Sequence, residues 1–133
     1  MSKLLLIDDD EQLRTSLAEY LSNQGFEVHQ AGEREEAEAL IQYYSYAIVI
    51  TDISLTKLGV EGFDLLKTIS LLKPRPKVIV MSGHGGPEHR LVAQDCGADL
   101  FLQKPFSLAT LEKLIGECVG SARGESNESM HAG

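Results

Sequence analysis

Residues 3–10 read Lys-Leu-Leu-Leu-Ile-Asp-Asp-Asp. The four apolar residues are too few for a helix and suit a short strand that is buried on both faces. Asp10 stands where a helix N-cap is expected. The residues that then repeat at helical spacing are Leu13, Leu17, Tyr20 and Leu21. The stretch therefore predicts a strand that leads into a helix through an acidic turn.

Apolar runs and helical patterns alternate in strict order from this stretch to residue 119. Such alternation predicts an α/β fold with a parallel sheet and helices on both faces. Right-handed crossovers then set the hand of each strand–helix unit. The predicted strands are 3–7, 26–30, 46–51, 77–81 and 100–102, and the predicted helices are 10–23, 33–44, 63–72, 88–95 and 108–119.

The composition narrows the classes of function. A chain of 133 residues with 43% hydrophobic residues suits one globular domain, here residues 1–119. Residues 120–133 are rich in Ser, Gly and Glu, and we interpret them as a flexible C-terminal tail or the start of a linker. The net charge of −8 argues against direct binding to a nucleic-acid backbone. The absence of a signal-peptide pattern and of a bilayer-length apolar run predicts a cytoplasmic protein without a membrane partner.

Polar side chains follow four of the five predicted strands. Asp8 and Asp9 follow the first strand, Asp52 the third, Ser82 the fourth and Lys104 the fifth. Ligands of open parallel sheets bind outside the carboxyl ends of the strands. Each residue alone has an ordinary explanation, such as a cap, a turn residue or a solvated lysine. Their coincidence at four strand ends favours one site.

The chemistry of these groups is mutually consistent. Carboxylates brought together repel one another unless a cation intervenes. Mg²⁺ suits such a place because it takes one or two carboxylates, several waters and a phosphate. A carboxylate can also act as a nucleophile and form an acyl phosphate. The metal, an ammonium and a hydroxyl would then neutralise the phosphoryl oxygens.

Residues 3–119 resemble the receiver domain of two-component response regulators, the family with the CheY-like fold. The resemblance rests on four segments that occur in the family's order. It implies a flavodoxin-like, doubly wound sheet of five parallel strands in the order 2-1-3-4-5, flanked by five helices. The segments are residues 4–10, 48–52, 80–85 and 101–106.

The resemblance also implies the role of each site residue. Asp52 would be the phosphoacceptor, and Asp9 would bind Mg²⁺ directly, with Asp8 completing the acidic pair, often through water. Ser82 would turn toward the phosphoryl group, and Lys104 would contact one of its oxygens. The remaining implied positions are Ser54, whose backbone carbonyl would bind the metal, Phe101 as the switch aromatic, and Pro105 after a cis peptide bond.

The function implied by the resemblance is a signalling switch and not an enzyme. A sensor histidine kinase or a phosphotransfer protein would donate the phosphoryl group to Asp52. Ser82 would then move inward and Phe101 would turn into the vacated space. The face made by the fourth helix, fifth strand and fifth helix would change shape and control a partner or an output domain. Homodimerisation on phosphorylation is left open.

Two departures from the family pattern stand beside the site. The loop at residues 54–61 is two residues longer than is usual, which affects metal geometry and partner choice. Phe101 replaces the tyrosine of many relatives and has no hydroxyl. His84 either orients or obstructs a hydrolytic water, or is an ordinary loop histidine.

Three other functions are alternatives to the switch. An aspartyl phosphatase of the haloacid dehalogenase type needs a second acid where Ser54 stands. A flavodoxin-like electron carrier would have a phosphate loop where the three acids follow the first strand. A pseudo-receiver that serves only for docking is disfavoured by the intact acidic set, but the altered loop leaves it open.

Overall fold

The computed structural model describes residues 2–52, 59–83 and 87–131. Five strands alternate with five helices along the chain, as predicted. The strands are β1 (Lys3–Ile7), β2 (Glu27–Ala31), β3 (Ile48–Asp52), β4 (Lys77–Ser82) and β5 (Leu100–Gln103). The helices are α1 (Glu11–Asn23), α2 (Arg34–Tyr43), α3 (Gly59–Ser70), α4 (Pro87–Asp95) and α5 (Leu108–His131).

The five strands form one parallel sheet in the order β2-β1-β3-β4-β5, which confirms the predicted fold. β1 and β3 are paired in register, with Ile7 opposite Thr51. β4 follows β3, and Ser82 at its end lies opposite Gln103 of β5. All strands point the same way, so their carboxyl ends lie along one edge of the sheet.

Two layers of helices cover the sheet because alternate strand residues point to opposite faces. Leu5 and Val49 lie in a buried cluster with residues of α2, α3 and α4. Leu4 and Ile50 lie in a second buried cluster with residues of α1 and α5. β3 is buried along its whole length. The central strands therefore hold the site end of the sheet in a fixed place.

Two helix boundaries differ from the prediction by more than two residues. α3 begins at Gly59 and not at residue 63, so the last three residues of the predicted loop 54–61 are helical. The predicted end of the last helix at residue 119 is wrong, because α5 continues to His131. No proline interrupts residues 108–131, although Gly120 and Gly124 lie in the part of the helix beyond residue 119. The interpretation of residues 120–133 as a tail or linker outside the domain stays a prediction.

A helix that crosses a bilayer needs about 20 consecutive, mostly apolar residues. None of the helices, within residues 2–52, 59–83 and 87–131, is long and apolar enough to cross a membrane.

An aromatic cluster joins β2 to the segment between α2 and β3. His29 Nδ1 lies 2.7 Å from the Tyr46 hydroxyl, and His29 Nε2 lies 3.0 Å from Glu27 Oε2. The His29 ring also meets Tyr44 edge to face, with centroids 4.6 Å apart. Burial raises the pKa of Tyr46 to about 12, and the neighbouring Tyr44 and Glu27 add to the shift.

The stability of the fold should therefore fall at high pH in a way that depends on Tyr46. An unfolded tyrosine ionises near pH 10, whereas folded Tyr46 keeps its proton to about pH 12. The stabilisation is complete below pH 10 and is lost between pH 10 and 12, by about 2 kcal/mol. Tyr46→Phe should make the decline in unfolding free energy shallower by this amount over that range. Urea unfolding from pH 8.5 to 11.5 measures it.

Tyr43→Phe is the matched control because Tyr43 is 83% exposed. Its unfolding free energy should follow the wild-type pH curve. The interpretation fails if the wild-type and Tyr46→Phe curves stay parallel above pH 10. A constant offset below that pH reports only the lost hydrogen bond to His29.

Candidate functional site

The acidic residues of the site lie at the carboxyl ends of β1 and β3. Because Ile7 is paired with Thr51, the next residues, Asp8 and Asp52, come side by side. Asp8 is fully buried and Asp52 is 4% exposed, whereas Asp9 lies in solvent. Two neighbouring buried carboxylates are costly unless a positive group meets them.

Lys104 supplies that positive group from the end of β5. Its backbone N–H donates to the Ser82 carbonyl at 2.8 Å, which fixes the start of the side chain beside β4. Its Nζ donates to Asp8 Oδ2 at 2.9 Å and to Asp52 Oδ2 at 2.7 Å. One ammonium therefore bridges carboxylates from two neighbouring strands. The structure brings together the acids and the lysine that the sequence pattern placed at separate strand ends.

Burial and ion pairing act against each other on these groups. Burial raises the pKa of Asp8, although the Asp10 N–H at 2.9 Å and Lys104 partly offset the effect. For Lys104, burial acts to lower the pKa, but the hydrogen bonds to Asp52 and Asp8 outweigh it and the pKa is raised. Lys104 is therefore held as a cation between the two carboxylates.

The three acids also form a group that could hold a cation. One carboxylate oxygen from each of Asp8, Asp9 and Asp52 lies within 4.8 Å of the others. Hard divalent ions prefer such oxygen ligands, and Mg²⁺ in particular uses few carboxylates and keeps several waters. The exposed position of Asp9 leaves room for those waters on the solvent side. The donor set therefore fits Mg²⁺.

Comparison with known proteins decides the family. The family profile described as "Response regulator receiver domain" matches residues 4–116. The chain belongs to the response regulator receiver domain family. Receiver domains are the phosphoacceptor signalling domains of two-component systems, and they interact with histidine kinases or phosphotransfer proteins.

Proteins similar to this chain include longer regulators. Transcriptional regulatory protein PmrA of Pectobacterium parmentieri is 31% identical over 128 residues, which cover 96% of this chain and 57% of the relative. Cell cycle response regulator CtrA of Brucella ovis is 28% identical, covering 98% of this chain and 56% of the relative. The chain thus spans little more than half the length of these proteins. A CheY-like receiver domain structure from Methanospirillum hungatei has a TM-score of 0.86 at 28% identity, covering 94% of this chain and 98% of that one.

The remaining predicted residues of the receiver domain are placed as follows. Ser82 ends β4 and is partly buried. Phe101 lies on β5, packs against the core below α4, and has the Arg90 guanidinium 5.3 Å from its ring centre. The Lys104–Pro105 peptide bond is cis, as predicted. Ser54 and His84 lie outside the described residues, as does most of the lengthened loop.

Two features of the site were not predicted. Arg14 of α1 reaches back to the carbonyl of Asp8, at 2.8 Å from Nη1. Its only sequence signal is a position one turn after the N-cap Asp10, whose side chain accepts from the Leu13 N–H. The second is an apolar cavity of about 580 Å³ between α1 and the segment after β5, adjoining Lys104. Its apolar lining residues are Leu13, Leu17, Tyr20, Pro105, Phe106 and Leu108.

Proposed function

We propose that this receiver domain is a cytoplasmic signalling switch that accepts a phosphoryl group on Asp52 with Mg²⁺ bound beside it. The donor is a sensor histidine kinase or a phosphotransfer protein. The observation that carries the proposal is the Lys104 ammonium, which contacts both Asp52 and Asp8 at 2.7 and 2.9 Å. A phosphoryl group on Asp52 would have this cation within reach of its oxygens.

Exposure favours Asp52 over Asp8 as the nucleophile. Asp8 has no solvent-exposed surface, whereas Asp52 keeps 4% of its surface exposed. Asp9 is exposed and suits direct contact with a hydrated ion. An oxygen of the Asp52 carboxylate attacks phosphorus while the P–N bond of the donor phosphohistidine breaks. The electron pair leaves with the imidazole, which takes up a proton.

The metal would be held by Asp9 and Asp52 directly, by the Ser54 backbone carbonyl, and by Asp8, often through water. When bound, Mg²⁺ would neutralise the oxygens of the transferring phosphoryl group. Lys104 keeps Asp52 oriented and then contacts a phosphoryl oxygen. Ser82, at the end of the adjacent β4, donates a hydrogen bond from its hydroxyl group to another phosphoryl oxygen.

The conformational change caused by phosphorylation would pass through Ser82 and Phe101. Movement of Ser82 toward the phosphoryl group opens space beside β5, and Phe101 turns into it. Because Phe101 has no hydroxyl, packing alone drives this rotation, and the contact with the Arg90 guanidinium has to break. The face of α4, β5 and α5 thereby changes and controls a partner or an output domain. The names of the longer relatives, a transcriptional and a cell cycle regulator, support an output domain.

The apolar cavity beside Lys104 supports transfer from a protein donor. It is lined by α1 and by the segment that carries cis Pro105, and it adjoins the acceptor site. A donor whose apolar face covered the cavity would bring its phosphohistidine to Asp52 and exclude water from the transfer. Neither nucleic acid nor a membrane is proposed as a direct partner of this domain.

Phosphoryl uptake from acetyl phosphate, with and without Mg²⁺, tests the proposal. We expect one phosphoryl group per chain with Mg²⁺ and a fall to background in excess chelator. Borohydride reduction of the acyl phosphate followed by peptide mass spectrometry should place the modification on Asp52. Label on a hydroxyl, or uptake that ignores Mg²⁺, would contradict it. No uptake with intact folding would favour a docking module instead.

A further inference from the structure

We infer that Arg14 is a positioning residue for the metal site, because its guanidinium holds the peptide group between Asp8 and Asp9. The inference rests on the proposed function, since the ion that Asp9 would bind is Mg²⁺. Arg14 is not a ligand itself. It acts on the backbone from which the exposed Asp9 side chain projects.

One guanidinium joins three elements at the carboxyl edge of the sheet. Arg14 belongs to α1, and its Nη1 donates to the Asp8 carbonyl, just past β1, at 2.8 Å. Its Nε donates to Gln30 Oε1 of β2 at 3.2 Å. The planar fork of arginine can hold two acceptors in a fixed relation, which a lysine ammonium on a flexible stem does less well.

Gly32 keeps the space that the guanidinium occupies. A Cβ on Gly32 would lie 2.8 Å from Arg14 Nη1, closer than atoms of side chains normally approach. The Gly32 N–H donates to Glu36 Oε1 at 2.8 Å, which holds this turn in place after β2. A side chain at position 32 would therefore displace the guanidinium from the place where it is hydrogen-bonded.

The Asp8 carbonyl connects Arg14 to the metal site. The Asp8 N–H donates to the Ala31 carbonyl at 3.1 Å, the last bond between the ends of β1 and β2. Beyond it, the Asp8 carbonyl is held by Arg14. The same peptide plane carries the N–H of Asp9 and sets the direction of the Asp9 Cα. Asp9 is exposed, so burial does not orient its side chain.

Arg14→Lys separates geometry from charge, because the formal charge near the acids is unchanged. Metal affinities fall by 10–100-fold when groups that orient ligands are lost, and we expect Mg²⁺ affinity to fall about tenfold. Calorimetric titration of the unphosphorylated protein measures it. Arg34→Lys is the matched control: Arg34 pairs with Glu38 and Asp64 between α2 and α3. Its Mg²⁺ affinity should stay within about twofold of wild type.

Gly32→Ala disturbs the same Arg14 contact in a second way, because the added methyl group would meet the guanidinium, and it adds no charge. It should displace the guanidinium and weaken Mg²⁺ binding in the same direction. It also keeps the test open if Arg14→Lys does not fold, which the unfolding midpoint in chelator reports. Mg²⁺ affinity at the wild-type value in the folded variants would overturn the inference.

A metal-free readout separates this inference from the proposed function. In chelator, Arg14→Lys should shift the amide resonances of Asp9 and of the Gln30 side chain, and Arg34→Lys should shift neither. If the wild-type protein bound no Mg²⁺, the metal role in the proposed function would be refuted. The metal-free shifts would still test whether Arg14 positions the peptide group between Asp8 and Asp9. Unmoved Asp9 and Gln30 resonances in Arg14→Lys overturn the inference.

Discussion

Asp52→Asn should reduce phosphoryl uptake from acetyl phosphate to background, a fall of at least about a hundredfold, because an amide oxygen is a very poor nucleophile. The amide oxygen can still accept a hydrogen bond from Lys104, so the variant should fold. Equilibrium unfolding checks the fold, and quantification of acyl phosphate per chain checks the uptake.

The control for this substitution is Asp64→Asn, which makes the same chemical change at a half-exposed position on α3. Its phosphoryl uptake should equal that of wild type. Undiminished uptake in Asp52→Asn would refute the assignment of the acceptor. New label on Asp8 or Asp9 in that variant would show that the acidic set, and not Asp52 alone, defines the reaction.

Lys104→Met should destabilise the metal-free fold by about 3 kcal/mol, since breaking a buried ion pair leaves carboxylates without a counter-charge. The fully buried Asp8 and the nearly buried Asp52 both lose their ammonium. Mg²⁺ should restore part of the loss, because an ion that binds only the folded state stabilises it by mass action. Urea unfolding in chelator and in millimolar Mg²⁺ gives both quantities.

Lys113→Met serves as the control, because Lys113 is exposed on α5. Its unfolding free energy should lie within about 0.5 kcal/mol of wild type in both buffers. The Mg²⁺-dependent gain should be larger in Lys104→Met than in wild type, because the ion no longer competes with the ammonium for the carboxylates. Equal stability of Lys104→Met and wild type in chelator would show that the bridge contributes nothing to folding.

The strands could be predicted because residues on either side of most apolar runs mark where the strands begin and end. β1 matches the predicted range 3–7, since a charged residue precedes the apolar run and acids follow it. β2 lies one residue later than predicted, because its alternating pattern has no sharp boundary. The strand order cannot be read from such patterns, and it came from the resemblance to receiver domains. The long α5 was missed because a polar, glycine-containing segment resembles a linker.

The site was predictable to the level of which residues share an edge. The strand-end rule placed Asp8, Asp52 and Lys104 together, and the resemblance assigned their roles. The bridge itself depends on side-chain reach between residues 96 apart in sequence, which spacing does not encode. Arg14 was not predicted either, because an arginine on a helix is ordinarily explained as a solvated surface residue.

The ratio of three carboxylates to one ammonium has a consequence for the signal itself. Without an ion, the acidic cluster and Lys104 carry two negative charges in excess, which one divalent cation cancels. Under the proposed function, conversion of the singly charged Asp52 carboxylate into an acyl phosphate of charge about −2 would then leave roughly one surplus negative charge. The phosphorylated and resting states would therefore differ at this edge by about one elementary charge. A partner or domain that recognises the phosphorylated state would have to compensate that charge with a positive group, a dipole or water.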